Sequence, residues 1–228
     1  MHAMTSSDPL APFRWLHGGD CLLGEIFTVA FFRGLDPSEV VRRFSRGEDH
    51  GQESGFAGLM EQAAEVSIET GGGSGGGTVG VVQVGEWSVA IEPIGWMATL
   101  PDVLAELSRD GEVLAITRHD YAEDSLAYAI DGTIVTGYTP LDCPYLRHGS
   151  EPDRLNGFMR ELGMTVDRWD DENDRDDADD WDDEDDRAES DYFSALPSAF
   201  ALAAKLTQVR FIPEILDRAM LVGPVAYR

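Results

Sequence analysis

Basic residues are scarce in this chain. Its 228 residues include 17 Lys and Arg against 43 Asp and Glu, a formal net charge of −26. Proteins that grip DNA or RNA neutralise phosphates with a basic footprint, so this balance argues against direct nucleic-acid binding. The same deficit argues against docking on an anionic membrane surface. Cysteine is scarce as well. Cys21 and Cys143 are too few for a disulfide framework, and neither sits in CxxC or Cys/His metal-ligand spacing. Long apolar runs are missing: CLLGEIFTVAFF (21–32) has 12 residues and contains Glu25, too short to cross a bilayer. The opening MHAMTSSDPLAPFRW lacks the basic patch, apolar run and small-residue cleavage site of a secretory leader. Together these absences predict a cytoplasmic protein with reduced thiols and no membrane association.

What is present suffices for a sizeable core. Hydrophobic residues make up 43% of the chain and include ten Phe, six Tyr and five Trp, an ordinary globular composition. The length favours one domain over 1–228, carrying insertions, rather than two.

IFTVAFFR (26–33) is β-branched and aromatic and stops at Gly34, which predicts a buried strand. Asp36-Pro37-Ser38-Glu39 then supplies a cap, a first-turn proline and an acid three residues after the cap, predicting a helix over 37–45. Residues 46–55 read as polar loop and 56–64 as a short helix. The glycine-rich stretch over 70–78 has flexible-linker composition. VGVVQV (79–84) and WSVAIE (87–92) are strand-like and joined by Gly85-Glu86, a pair suited to a two-residue hairpin in which Trp87 shares a side with Val89 and Ile91. Trp87 and Trp96 are both expected to be largely buried and structural. A short helix over 101–108 precedes a strand over 112–118. Two more strands, 126–130 and 133–139, flank Asp131-Gly132, the strongest hairpin signal in the chain. Leu155, Phe158, Met159 and Leu162 form one helical face after the capped start at 150–153. Helices are further predicted over 195–206 and 213–221. Consecutive hairpins make the expected fold α+β, a mostly antiparallel sheet of about five or six strands with packed helices.

Candidate chemistry is thin. The glycine run lacks the GKS/GKT or GxGxxG context that phosphate and dinucleotide sites require, and a strand rather than a helix follows it. His119-Asp120 with Glu123-Asp124 offers nitrogen and oxygen donors to a metal, although a polar turn between strands is the plainer reading. His17 with Cys21, and Cys143 with His148, could each pair a nucleophile with a base, but a buried Cys is most often a small hydrophobe. No catalytic residue, metal site or cofactor is therefore expected.

The acidic segment over 170–191 stands apart. It holds fifteen acidic residues against Arg175 and Arg187, a net of −13 and half of the chain's charge. Such a run is expected to be a disordered insertion in isolation. It lacks the glycine and terminal glutamate of an EF-hand loop. Trp169 and Trp181 give it a second reading, because a solvating run has no use for large apolar rings. Asp170, Asp171, Asp179, Asp180, Asp182, Asp183, Asp185 and Asp186 would steer a basic protein partner while the two rings anchor it.

Three stretches, FTVAFFRGLDPSEVVRRF (27–44), VGVVQVGEWSVAIEPIGW (79–96) and YLRHGSEPDRLNGFMRELG (145–163), together with ALAAKLTQVRFIPEIL (201–216), resemble an uncharacterised, largely actinobacterial family known as a domain of unknown function. The resemblance rests on RGLDP, the GxW hairpin and GSxPDxL, and it implies no assigned activity. The glycine run and the acidic insertion depart from the family's pattern. The expected function is an interaction module that binds and masks a basic partner, in the manner of bacterial immunity and antitoxin proteins. The alternative is an enzyme or small-molecule sensor whose pocket no motif reveals.

Overall fold

The computed structural model describes residues 8–16, 21–72, 77–166 and 181–227, with the side chains of 181–192 outside the description. Its strands are β1 (Ile26–Arg33), β2 (Gln52–Ser54), β3 (Thr78–Val84), β4 (Trp87–Pro93), β5 (Glu112–His119), β6 (Ser125–Ile130), β7 (Thr133–Tyr138) and β8 (Met220–Pro224). Its α-helices are α1 (Pro37–Phe44), α2 (Phe56–Thr70), α3 (Pro101–Leu107), α4 (Asn156–Glu161) and α5 (Trp181–Thr207). The strands form one sheet in the order β2-β8-β3-β4-β1-β5-β6-β7, every pair antiparallel.

Local chemistry sets most of these elements where the sequence puts them. The Asp36 carboxylate accepts from Glu39 N at 3.0 Å, with Pro37 at the first turn of α1. Asp131 and Gly132 both have positive φ, 47° and 75°, as the tight turn joining β6 and β7 requires.

Both faces of the sheet are covered. Phe27, Val29 and Phe31 of β1, with Trp87, Val89 and Ile91 of β4, pack into a core that includes Leu59 of α2, Met159 of α4 and Leu196, Phe200 and Leu202 of α5. The opposite face carries Ala30, Ala90, Ala115, Ala127 and Ala129 beside Phe32, Val79, Val81 and Val113. It receives Val40, Val41 and Phe44 of α1 and Val103, Leu104 and Leu107 of α3. The alanines on this face leave room for those helices to come close to the sheet. Trp87 is 6% exposed and shares its core with Val89 and Ile91, as its strand period requires.

The sheet has eight strands rather than five or six, because two segments read otherwise in sequence join it. The helix expected over 213–221 is a 3-10 turn, Pro213–Ile215, followed by β8. β8 inserts between β2 and β3, and its backbone bonds come from partners far away in the chain. A Cβ at Gly223 would collide with Val41, so glycine lets α1 lie directly on this strand. Gln52–Ser54, read as loop, pairs with β8 for the same long-range reason. The helix expected over 56–64 continues to Thr70 and ends on Gly71 at φ 65°. The expected stripe of Leu155, Phe158, Met159 and Leu162 does face the core, although α4 itself is short. The helix expected over 195–206 begins earlier, at Trp181. Once a stretch such as Leu196–Leu202 is docked, adding turns costs far less than nucleating one.

Candidate functional site

One end of the sheet concentrates the polar and aromatic groups that the core does not use. On the face beneath α3, β4, β1 and β5 bring Glu92, Thr28 and Thr117 side by side, with Thr28 directly opposite both of the others. All three are buried. Above them the chain leaves β4, passes Ile94 and Gly95, and makes a 3-10 turn, Met97–Thr99. Glu92 Oε1 accepts from Ala98 N at 3.1 Å. Thr28 donates to Gly95 O at 2.9 Å and lies 2.6 Å from the Thr117 hydroxyl, which in turn lies 2.8 Å from that of Thr99. Each hydroxyl carries one proton. The Thr99 hydroxyl also reaches Trp96 O at 3.1 Å, so three protons serve a chain of four contacts that ends on the Gly95 and Trp96 carbonyls. The 94–99 loop is thus fastened from below at three points.

Glu92 is unusual for a buried acid. It is 1% exposed, and its second oxygen, Oε2, has no hydrogen-bond partner among the described residues. Burial pushes its carboxyl up to about 8, against the smaller opposing effect of backbone bonds from Ala98 and Met97. The loop above it also holds strain: Ile94 adopts φ 54°, a left-handed conformation that a β-branched side chain rarely takes.

This loop presents Trp96 to the surface. Its ring meets His119 edge-on with centroids 5.0 Å apart, and His119 meets Tyr121 at 6.5 Å. The three rings form a run from the half-buried Trp96 to Tyr121, which is 83% exposed. Trp96, expected to be largely buried, is half-buried and covers the end of the sheet, because the turn at 94–99 carries it over His119.

The acids around these rings serve the turn itself. Asp120 pairs with Arg118 at 3.1 Å, Asp124 accepts from His119 N at 3.0 Å, and Tyr121 N donates to His119 Nδ1 at 3.3 Å. Among the described residues no group of three or more His, Cys, Asp or Glu stands in a metal-holding arrangement. Asp120 and Glu123 nevertheless remain exposed beside Tyr121. Glu123 also reaches the second loop at this end, where Thr139 donates to its Oε2 at 3.4 Å. That loop exposes Leu141, Tyr145 and Leu146. It is anchored by Arg147, whose buried guanidinium donates to Pro144 O, to Asn156 and to Val166 O and pairs with Asp153.

Elsewhere the chemistry is weaker. Cys21 and Cys143 are free, and burial raises both thiols above their ordinary value, which disfavours the nucleophilic thiolate. His148 pairs its backbone with Gly137 along the outer edge of β7, and His17 lies outside the described residues. A shallow groove of about 940 Å³ runs between the end of β2, the start of α2 and 213–219. Glu53, Glu214, Asp217 and Arg218 line it. Arg218 there donates to Gln83 O.

Of the residues singled out in sequence, Trp169, Asp170, Asp171, Asp179 and Asp180 lie outside the described residues. Trp181, Asp182, Asp183, Asp185 and Asp186 fall in the first turns of α5, where only the backbone is described. The residues that sequence reasoning missed are Glu92, Thr28 and Thr117. In WSVAIE, Glu92 looks like the solvent side of a half-buried strand. The small Ser88 and Ala90 that share its side were the available signal that this face is covered too.

A model described as a family of unknown function (DUF6461) matches residues 5–226. No curated protein and no solved structure matches.

Proposed function

We propose that this chain, which belongs to the family of unknown function DUF6461, is a binding module that captures and masks a basic protein partner. The observation that carries this reading is the solvent-facing group of Tyr121, Leu141, Tyr145 and Leu146 on two loops that a Thr139–Glu123 hydrogen bond joins at one end of the sheet. Large apolar side chains in solvent, rimmed by Asp120, Glu123 and Asp142, have the composition of a protein-binding surface: anchors at the centre, charge at the edge. A net charge of −26 selects the sign of the partner and speeds its approach. The acidic segment over 170–191 adds to that attraction, and Trp169 and Trp181 give it anchors of its own.

The test is capture from the source organism at low salt, using wild-type protein and the variants Tyr121→Ala and Tyr145→Ala as bait. The expected result is a basic protein retained by the wild type and lost or reduced with both variants. Equal recovery on all three baits, or recovery of acidic proteins only, would remove this face from the function.

A further inference from the structure

We propose that Glu92 is a proton-dependent latch of the docking end: its neutral carboxyl holds the 94–99 loop closed, and ionisation releases the loop together with Trp96. The proposal rests on the reading of that end as the binding face, and it names how that face is regulated.

The geometry carries it. Oε1 of Glu92 is the acceptor that fastens Ala98 N, while Oε2 is buried with no partner among the described residues. An oxygen in that position is where the proton of a neutral carboxyl resides, because a carboxylate there would face neither water nor a counter-charge. Among the described residues no cation is bonded to Glu92: on α1, which also packs against β4, Arg42 and Arg43 are engaged with Glu39, and Arg43 with Leu107 O and Arg109 O. β1 contributes Thr28, β5 contributes Thr117, and the loop contributes Thr99 and backbone N–H groups. The next titratable side chain on that side of β5, His119, packs on Trp96. On α3, Asp102 is exposed and Glu106 accepts from the Tyr227 hydroxyl. Among the described residues, a negative charge created at Glu92 is therefore stabilised by the backbone N–H groups of Met97 and Ala98, and water reaches it if the loop lifts. The left-handed Ile94 biases the loop the same way, since opening relieves its strain. Burial places the transition at about pH 8, close enough to neutrality for a modest rise in pH to operate it.

The test uses the free protein, so its outcome is separate from whether a partner is found. The glutamate side-chain carboxyl carbons and the Trp96 indole N–H, assigned with Trp96→Phe, are followed by NMR from pH 6 to 10. One carboxyl should titrate near pH 8, and the Trp96 signal should move with the same midpoint. In Glu92→Gln, whose amide oxygen can still accept from Ala98 N, the Trp96 signal should hold its low-pH position throughout. If Glu92→Gln does not fold, coincidence of the two wild-type midpoints decides alone. A Trp96 signal that stays flat in the wild type, or that titrates equally in Glu92→Gln, overturns the latch. Loss of partner capture with an intact titration would sink the docking reading and leave the latch standing.

Discussion

At the scale of single residues, Glu92 makes the sharpest demand on stability. Its carboxyl ionises near 4.5 in the unfolded chain and only near 8 in the fold. Between those values the unfolded state binds fewer protons than the native state, so stability falls as pH rises through the window and levels off above it. The full loss is on the order of 5 kcal/mol. Denaturant titrations at pH 5, 6.5 and 8 should show the wild type losing stability steadily while Glu92→Gln stays nearly level. Parallel slopes for the two proteins would mean that Glu92 is ionised in the fold. Tyr138 offers a contrasting case. Its hydroxyl is buried in the core without a partner among the described residues, and burial pushes its phenol well up. Tyr138→Phe should therefore leave stability unchanged or raise it by up to about 1 kcal/mol. Trp87→Ala, by contrast, should cost about 3–5 kcal/mol, because the ring lies in the core and also meets the Arg33 guanidinium at 6.0 Å. A thermal or urea midpoint that drops for Tyr138→Phe, or barely moves for Trp87→Ala, would contradict these burials.

At the scale of elements, the 94–99 loop depends on Thr28 more than on its own backbone. Thr28→Val keeps the shape but orphans Gly95 O and takes from the Thr117 hydroxyl its buried partner, and should cost about 1–3 kcal/mol. Amide exchange would then speed up at Ala98 while β1 and β5 stay protected; exchange rising equally across the sheet would mean that Thr28 supports the strands instead. The same scale separates what was legible in sequence from what was not. Hairpin turns announce themselves locally, so β3, β4, β6 and β7 could be read from Gly85-Glu86 and Asp131-Gly132. The Asp36 cap placed α1 for the same reason. β8 could not be read in this way. RAMLVGP has no turn pairing it to a neighbour, and its strand character comes from β3 and β2, more than 130 residues earlier in the chain. The packing of Trp96 on His119 could not be read in this way either, because aromaticity predicts burial while a 3-10 turn decides where the ring goes.

At the scale of the whole molecule, charge and apolar anchors make separable contributions to binding. Charge accelerates encounter and is screened above about 0.15 M salt, where the Debye length is about 8 Å. Anchors act on dissociation and resist salt. Deleting 170–191 removes half of the net charge along with Trp181. Replacing Tyr121 or Tyr145 leaves the charge untouched. The measurement that bears most directly on the account is the pair of rate constants for the captured basic partner at 0.05 M and 0.3 M salt. The account predicts a slower, less salt-sensitive on-rate after the deletion, and a faster off-rate at unchanged on-rate for Tyr121→Ala and Tyr145→Ala. Rates unaltered by both tyrosine substitutions would contradict a docking face at the aromatic end of the sheet.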